Sequence, residues 1–278
     1  MSTLTYAVHD SATMLRRNLK HAIRYPAVGF GSAMMPILML LLFVYAFGDT
    51  IGAGIGGSGA SGGDGRDPYV HDAYVNYLTP GIIVMGVAAG SMSTSIAVCS
   101  DMTEGIINRF RTMNITRSSF MTGHVVGSVV QTMLCMVLVV GVALAVGFRS
   151  GATPLEWLAA AGLLAAIAFA VAWLSAALGL ISKTVESASN KPLLVQFLPF
   201  LGSAFVPAES MSPGLRRFAE YQPFTPMTET LRGLLTGTAI GSSGVVSLAW
   251  CAGIALVGYV WSRSRFDNRS KSSGKNKR

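Results

Sequence analysis

Charge is scarce in this sequence. Asp, Glu, Lys and Arg make up 12% of its 278 residues, about half the share found in an average soluble domain. Six long stretches hold none at all in their centres: 27–47, 78–100, 125–148, 157–182, 192–207 and 239–262. A proton- or ion-coupled carrier normally needs a carboxylate at mid-depth, because a buried charge is costly and is kept for ion relay. A membrane hydrolase needs a nucleophile beside a base. Neither is found in these stretches, so no catalytic residue is assigned and the chain is read as no enzyme. Cysteine is scarce as well: Cys99, Cys135 and Cys251 are three, all inside apolar runs. An odd count with no CxxC spacing indicates neither a disulfide framework nor a metal site. The phosphate-cradling pattern GxxxxGK followed by Ser or Thr is absent; Gly274-Lys275 is followed by Asn276. No nucleotide or other cofactor is therefore expected on this chain. Residues 1–26 show no apolar h-region of a cleavable signal.

What is present is apolar and basic. Hydrophobic residues reach 51%, yet the net charge is +8. A helix crosses the hydrocarbon core in about 20 residues. Four of the runs are long enough without reservation, and 192–207 reads as a kinked or half-crossing fifth span around Pro199. The last run holds the sixth. The expected fold is thus all-α, a six-span polytopic membrane domain over 1–262 with a basic tail at 263–278. With both ends placed in the cytoplasm, sixteen of the 21 Lys and Arg fall on the inner side, as the positive-inside rule requires. The tail reads as disordered, touching anionic lipid and not nucleic acid.

Several smaller segments complete the plan. Val8, Ala12, Leu15, Leu19 and Ile23 recur at helical spacing, with Arg16, Arg17, Lys20 and Arg24 facing elsewhere. This is an amphipathic helix for the inner interface. Loop 48–77 is rich in glycine and reads as a flexible connector. Residues 208–238 show two short helical patterns, too short and too charged to span, which read as a re-entrant segment before the last span. His124 lies at the inner edge of span three, with no carboxylate expected beside it.

Residues 102–113 carry the one charged, helix-like pattern between two spans. Met102, Ile106, Ile107, Phe110 and Met113 share an arc of about 140° on a helix, opposite Glu104, Asn108, Arg109, Arg111 and Thr112. Such a helix either rests on lipid or fills a groove on a soluble partner. For cargo, span two offers Ser91, Met92, Thr94 and Ser95. Span three offers Gln131. Span five offers Gln196, Phe197, Phe200 and Phe205. Apolar sites with few polar groups suit lipophilic ligands, although Ser and Thr also bond back to their own helix. Gly86/Gly90 and Gly123/Gly127 have the GxxxG spacing that permits close helix packing, within one subunit or across a dimer seam.

The stretch "YLTPGIIVMG" (Tyr77 to Gly86), followed by "SDMTEGIINRFRTMNITRSSFMTGHVV" (Ser100 to Val126), resembles the membrane subunit of type-2 ABC exporters of the daunorubicin-resistance type. Residues 197–237 are similar to that family's fifth span and outer re-entrant region. One departure is Asn114, where the family usually has Pro before the hydrophobic-polar-Arg turn. Asn114-Ile115-Thr116 also spells a glycosylation sequon, idle on the cytoplasmic side. The resemblance implies a cytoplasmic P-loop ATPase, carrying ATP and Mg, that docks on the inter-span helix through Glu104, Gly105, Ile106, Arg109, Phe110 and Arg111. It implies a second permease copy or a related permease, a plasma-membrane location, and outward movement of a lipophilic drug, antibiotic or lipid. A polysaccharide or other lipid-linked cargo, or a non-transporting scaffold role, is the alternative.

Overall fold

A computed structural model describes residues 26–55, 68–103, 117–207 and 210–275. Every regular element among them is helical, and no strand is found among the described residues. The long helices are α1 (Pro26–Ile55), α2 (Pro68–Thr103), α3 (Arg117–Val146) and α4 (Pro154–Ile181). Short pieces follow: α5 (Val185–Asn190), α6 (Leu193–Phe197) and a 3₁₀ turn (Leu198–Leu201). Then come α7 (Pro213–Tyr221), α8 (Phe224–Thr236) and the long α9 (Ser243–Lys275). Among the described residues, four stretches are long and apolar enough to cross a membrane: Ala73–Thr103, Met121–Val146, Pro154–Ile181 and Ser243–Ser264. Ala33–Phe47 on α1 is a shorter apolar stretch.

Local sequence explains the ends. Thr153 opens α4 with Pro154 behind it. The Thr153 hydroxyl accepts from the Glu156 amide, and the Glu156 carboxylate accepts from the Thr153 amide at 2.6 Å. This capping box satisfies two amides that a helix start leaves unpaired. At the end of α8, Gly237 adopts φ +73° and its amide donates to Gly233 O, a conformation other residues rarely adopt.

α2 is the centre of the bundle. It packs against α1, α3 and α4 along its length, and against α5, α6 and α8. Leu78, Ile82, Ile83, Met85, Val87 and Ala88 are fully buried. α9 lies along α4. There Tyr259 meets Trp173 edge-on at 5.1 Å, while Val245, Leu256 and Val257 on its outer side are exposed. That apolar exposure fits contact with lipid tails.

The structure departs from the sequence reading in four places. The connector 48–77 is shorter than expected, because α1 continues to Ile55 and α2 starts at Pro68. Helices are not obliged to stop where the apolar run stops. The tail, expected to be disordered, continues α9 to Lys275; its Arg, Lys and Ser residues form helix adequately and no proline interrupts it. Residues 192–207 are not one helix. α6 passes into the 3₁₀ turn at Pro199, which supplies no amide to an α-helical bond, and the chain turns through 202–205. The fourth departure, at His124, concerns the site below. The amphipathic pattern at 8–24 lies outside the described residues.

Candidate functional site

The broken segment 193–207 gathers most of the aromatic cargo candidates. Phe205 stacks on Phe200 with ring centres 4.9 Å apart, and Phe200 lies 6.0 Å from Phe197. The row continues onto α1: Phe205 to Phe43 is 4.7 Å and Phe43 to Phe47 is 5.5 Å. Five rings thus form a continuous line, Phe197–Phe200–Phe205–Phe43–Phe47. Phe197 is 58% and Phe47 43% exposed, while Phe205 in the middle is 7% exposed. Offset and tilted ring pairs at these spacings are attractive. Their faces also accept flat apolar rings and cations. Sequence reading found Phe197, Phe200 and Phe205. It missed Phe43 and Phe47, whose i, i+4 spacing on α1 was the available signal. Gln196 is half-buried on α6, beside this row in sequence.

The hydroxyls on α2 are differently placed. Ser91 donates to Ala88 O at 2.6 Å, a bond within its own helix. Thr94 bonds to Ser128 on α3. Ser95, fully buried, donates to Ala188 O on α5 at 2.8 Å. All three have protein partners, and the structure does not bring them to the aromatic row. Met92 and Gln131 are half-buried. The glycines show what close packing looks like here. A Cβ at Gly86 would sit 2.8 Å from Met136 Cε, and one at Gly90 would sit 2.6 Å from Thr132 Oγ1; both neighbours are on α3 of the same chain. Gly123 and Gly127 are buried on α3.

One end of the bundle is closed by a cation. Arg232, on α8, donates to Ser203 O at 2.9 Å and to Tyr77 O at 3.3 Å. Its guanidinium lies 3.9 Å over the Tyr77 ring, and the Tyr77 hydroxyl donates to Ser203 O at 3.1 Å. Burial pulls the Arg232 pKa down, against the pull of Tyr77 and Glu229 in the other direction. Below this node the break after the 3₁₀ turn lies directly on α2: a side chain at Gly81 would collide with the Ala204 backbone. Sequence reading placed Arg232 in an outer segment and gave it no role. Its partners lie 155 and 29 residues away in the chain, so no local pattern marks them.

The other end carries Asp101 and His124. His124 Nε2 meets Asp101 Oδ2 at 2.9 Å, with the side chains 8% and 16% exposed. The expectation of no carboxylate beside His124 is corrected here. The two residues are 23 apart in sequence, and only the packing of α3 on α2 brings them face to face. Glu104, Gly105, Ile106, Arg109, Phe110 and Arg111, expected to contact an ATPase, lie outside the described residues. Among the described residues, no group of three or more His, Cys, Asp or Glu is placed to hold a metal ion.

Comparison with known proteins gives one consistent result. The profile of the family described as ABC-2 type transporter matches residues 10–236. A daunorubicin resistance ABC transporter permease protein of Streptomyces coeruleorubidus is 25% identical over 252 residues, covering 90% of this chain and 83% of that one. A probable doxorubicin resistance ABC transporter permease protein of Mycobacterium tuberculosis is 22% identical over 190 residues, covering 67% of this chain and 68% of the relative.

Proposed function

The chain belongs to the ABC-2 type transporter family, and from that premise we propose that it is the export permease of a transporter driven by a separate ATPase. Its cargo is a flat, lipophilic compound. The energy enters from the cytoplasm: a P-loop ATPase carrying ATP and Mg docks on the inter-span segment 102–113. Ile106 and Phe110 supply the apolar anchor, and Glu104 and Arg111 the polar contacts. Two permease copies assemble with two ATPases in the plasma membrane. Six spans with both termini inside satisfy the distribution of Lys and Arg.

The observation that carries the cargo reading is the row of five phenylalanines. It joins α1 to the broken segment, and its two ends are exposed. A line of ring faces binds planar apolar molecules with little demand on their polar groups, so one compound exchanges for another. The relatives named for resistance to daunorubicin and doxorubicin support this class. In this reading ATP-driven closure of the ATPases shifts α2 and α3, and the row changes which side of the membrane it opens to.

The test uses the permease co-expressed with its ATPase in vesicles loaded with a planar lipophilic dye. Phe43→Ala and Phe200→Ala are expected to weaken export of the dye while ATP hydrolysis persists. Loss of one stacked ring is worth roughly 1 kcal/mol, so the apparent KM should rise about fivefold at unchanged protein level. Export by both variants at wild-type KM and rate would remove the row from the pathway.

A further inference from the structure

The Asp101–His124 pair lies near the described ends of the two helices on either side of residues 104–116. α2 is described to Thr103, two residues past Asp101, and α3 from Arg117, two turns before His124. Both side chains are largely buried, and their contact is 2.9 Å. They sit beside a small apolar cluster of Val98 from α2, Met121 and Val125 from α3, and Ala172, Trp173, Ala176 and Leu180 from α4, with Met102 packed against it. Apolar packing is non-directional and leaves helix ends room to shift; the other polar link described between α2 and α3, Thr94 to Ser128, lies further along both helices. A charge-assisted hydrogen bond fixes distance and angle.

α2 is also fastened on its other side. Ser95 donates to Ala188 O, and a Cβ at Gly179 would lie 2.5 Å from Ser95 O, so the backbones of α2 and α4 touch there. Just beyond α4, Lys191 Nζ donates to Ser182 Oγ at 3.0 Å and closes the 182–191 bracket on itself. The bracket leads directly into α6 and Phe197. A displacement of α2 at Asp101 therefore has a mechanical route to the aromatic row. It reaches α3 as well only where the two helices are held together.

We propose that Asp101 and His124 are positioning residues of the transport cycle: their pair makes α2 and α3 move as one body when the ATPase presses on the segment between them. The pair touches neither nucleotide nor cargo. Without it, the same push spreads the ends of the two helices beyond the Thr94–Ser128 bond, and ATP is consumed with less cargo moved. This inference rests on the reading of 102–113 as the ATPase contact.

The experiment measures dye exported per ATP hydrolysed by the complete permease–ATPase complex in proteoliposomes. The variants are Asp101→Asn, His124→Gln and the exchanged double variant Asp101→His/His124→Asp. Yield and thermal midpoint are recorded for each. The single variants are expected to keep basal ATP hydrolysis and lose export per ATP by roughly 2- to 30-fold, the range that altered coupling between distant sites gives. The exchanged variant is expected to recover it. Export per ATP equal to wild type in both single variants overturns the proposal. So does a proportional fall of export and hydrolysis that the exchange does not restore, since that is the mark of a fold-only role. If the wild-type permease does not retain the ATPase on purification, or Phe110→Asp leaves retention unchanged, the docking assignment fails and the positioning role fails with it. Retained ATPase with unaffected single variants sinks the positioning role alone.

Discussion

Replacing Arg232 with Ala removes the fastening at the end of the bundle opposite Asp101 and His124. The wild-type guanidinium makes a 2.9 Å bond to Ser203 O, a longer one of 3.3 Å to Tyr77 O, and a stack on the Tyr77 ring. A hydrogen bond from a charged group is worth about 1.5–3 kcal/mol. The longer bond counts at the low end because N–H···O bonds weaken beyond about 3.2 Å. The stack adds about 0.5–2 kcal/mol. Against these stands the cost of drawing the cation out of water, which amounts to several kcal/mol for a buried ion. Arg232 is half-buried, so that cost is only partly incurred. The Ser203 carbonyl also keeps the Tyr77 hydroxyl as a partner after truncation. The net loss is on the order of 2 kcal/mol. For a long chain each kcal/mol shifts the midpoint by about 2–4 °C, so the expected drop is roughly 4–8 °C.

The assay is thermal unfolding of the detergent-solubilised protein, followed by intrinsic tryptophan fluorescence at one fixed scan rate, because membrane-protein unfolding is a rate-dependent midpoint. Arg232→Lys is expected to fall between Ala and wild type: it keeps the charge and loses the planar fork that reaches two carbonyls and lies flat on a ring. Tyr77→Phe keeps the ring and loses only the bond to Ser203 O, costing about 1 kcal/mol. A midpoint for Arg232→Ala within error of wild type would refute the fastening. A midpoint for Arg232→Lys below that of Ala would refute the reasoning from fork and stack.

Two further outcomes follow from the geometry. Gly81→Ala drives a methyl into the backbone at Ala204; overpacking of this kind costs about 1–3 kcal/mol, and the same thermal assay should show it, whereas a substitution at Gly162, which has open space, should not. Thr153→Ala removes the hydroxyl that caps α4 and should cost about 1 kcal/mol, visible as faster hydrogen exchange in the first turn of α4.

The long helices were legible because each contains a run of apolar residues that favours the membrane interior over water, although their ends, such as the charged end of α9, were not. The broken segment was half legible. Pro199 announced a break, but a sequence does not say that the free carbonyl of Ser203 meets Arg232. A cation in a short segment looks like a reason for exposure, and here a tyrosine face and two carbonyls take it in. The α2 hydroxyls had the composition of a polar path. Composition does not say which partner each hydroxyl takes: Ser91 bonds to its own helix and Ser95 to α5. His124 was visible as a single residue at a span edge, and Asp101 drew no notice. Their pairing depends on the rotation of α3 about its axis against α2, which hydrophobic periodicity fixes only coarsely. The Phe43–Phe205 contact, across 162 residues of chain, was out of reach for the same reason.

The central claim is that pumping work reaches these helices from an ATP-hydrolysing partner. Its most direct measurement is dye accumulation in proteoliposomes holding the purified permease with or without that partner, energised by ATP or by an imposed proton or sodium gradient. The account predicts accumulation only when partner and ATP are both present, and its loss in Glu104→Lys and Phe110→Asp. Accumulation by the permease alone, driven by the ion gradient, would contradict it.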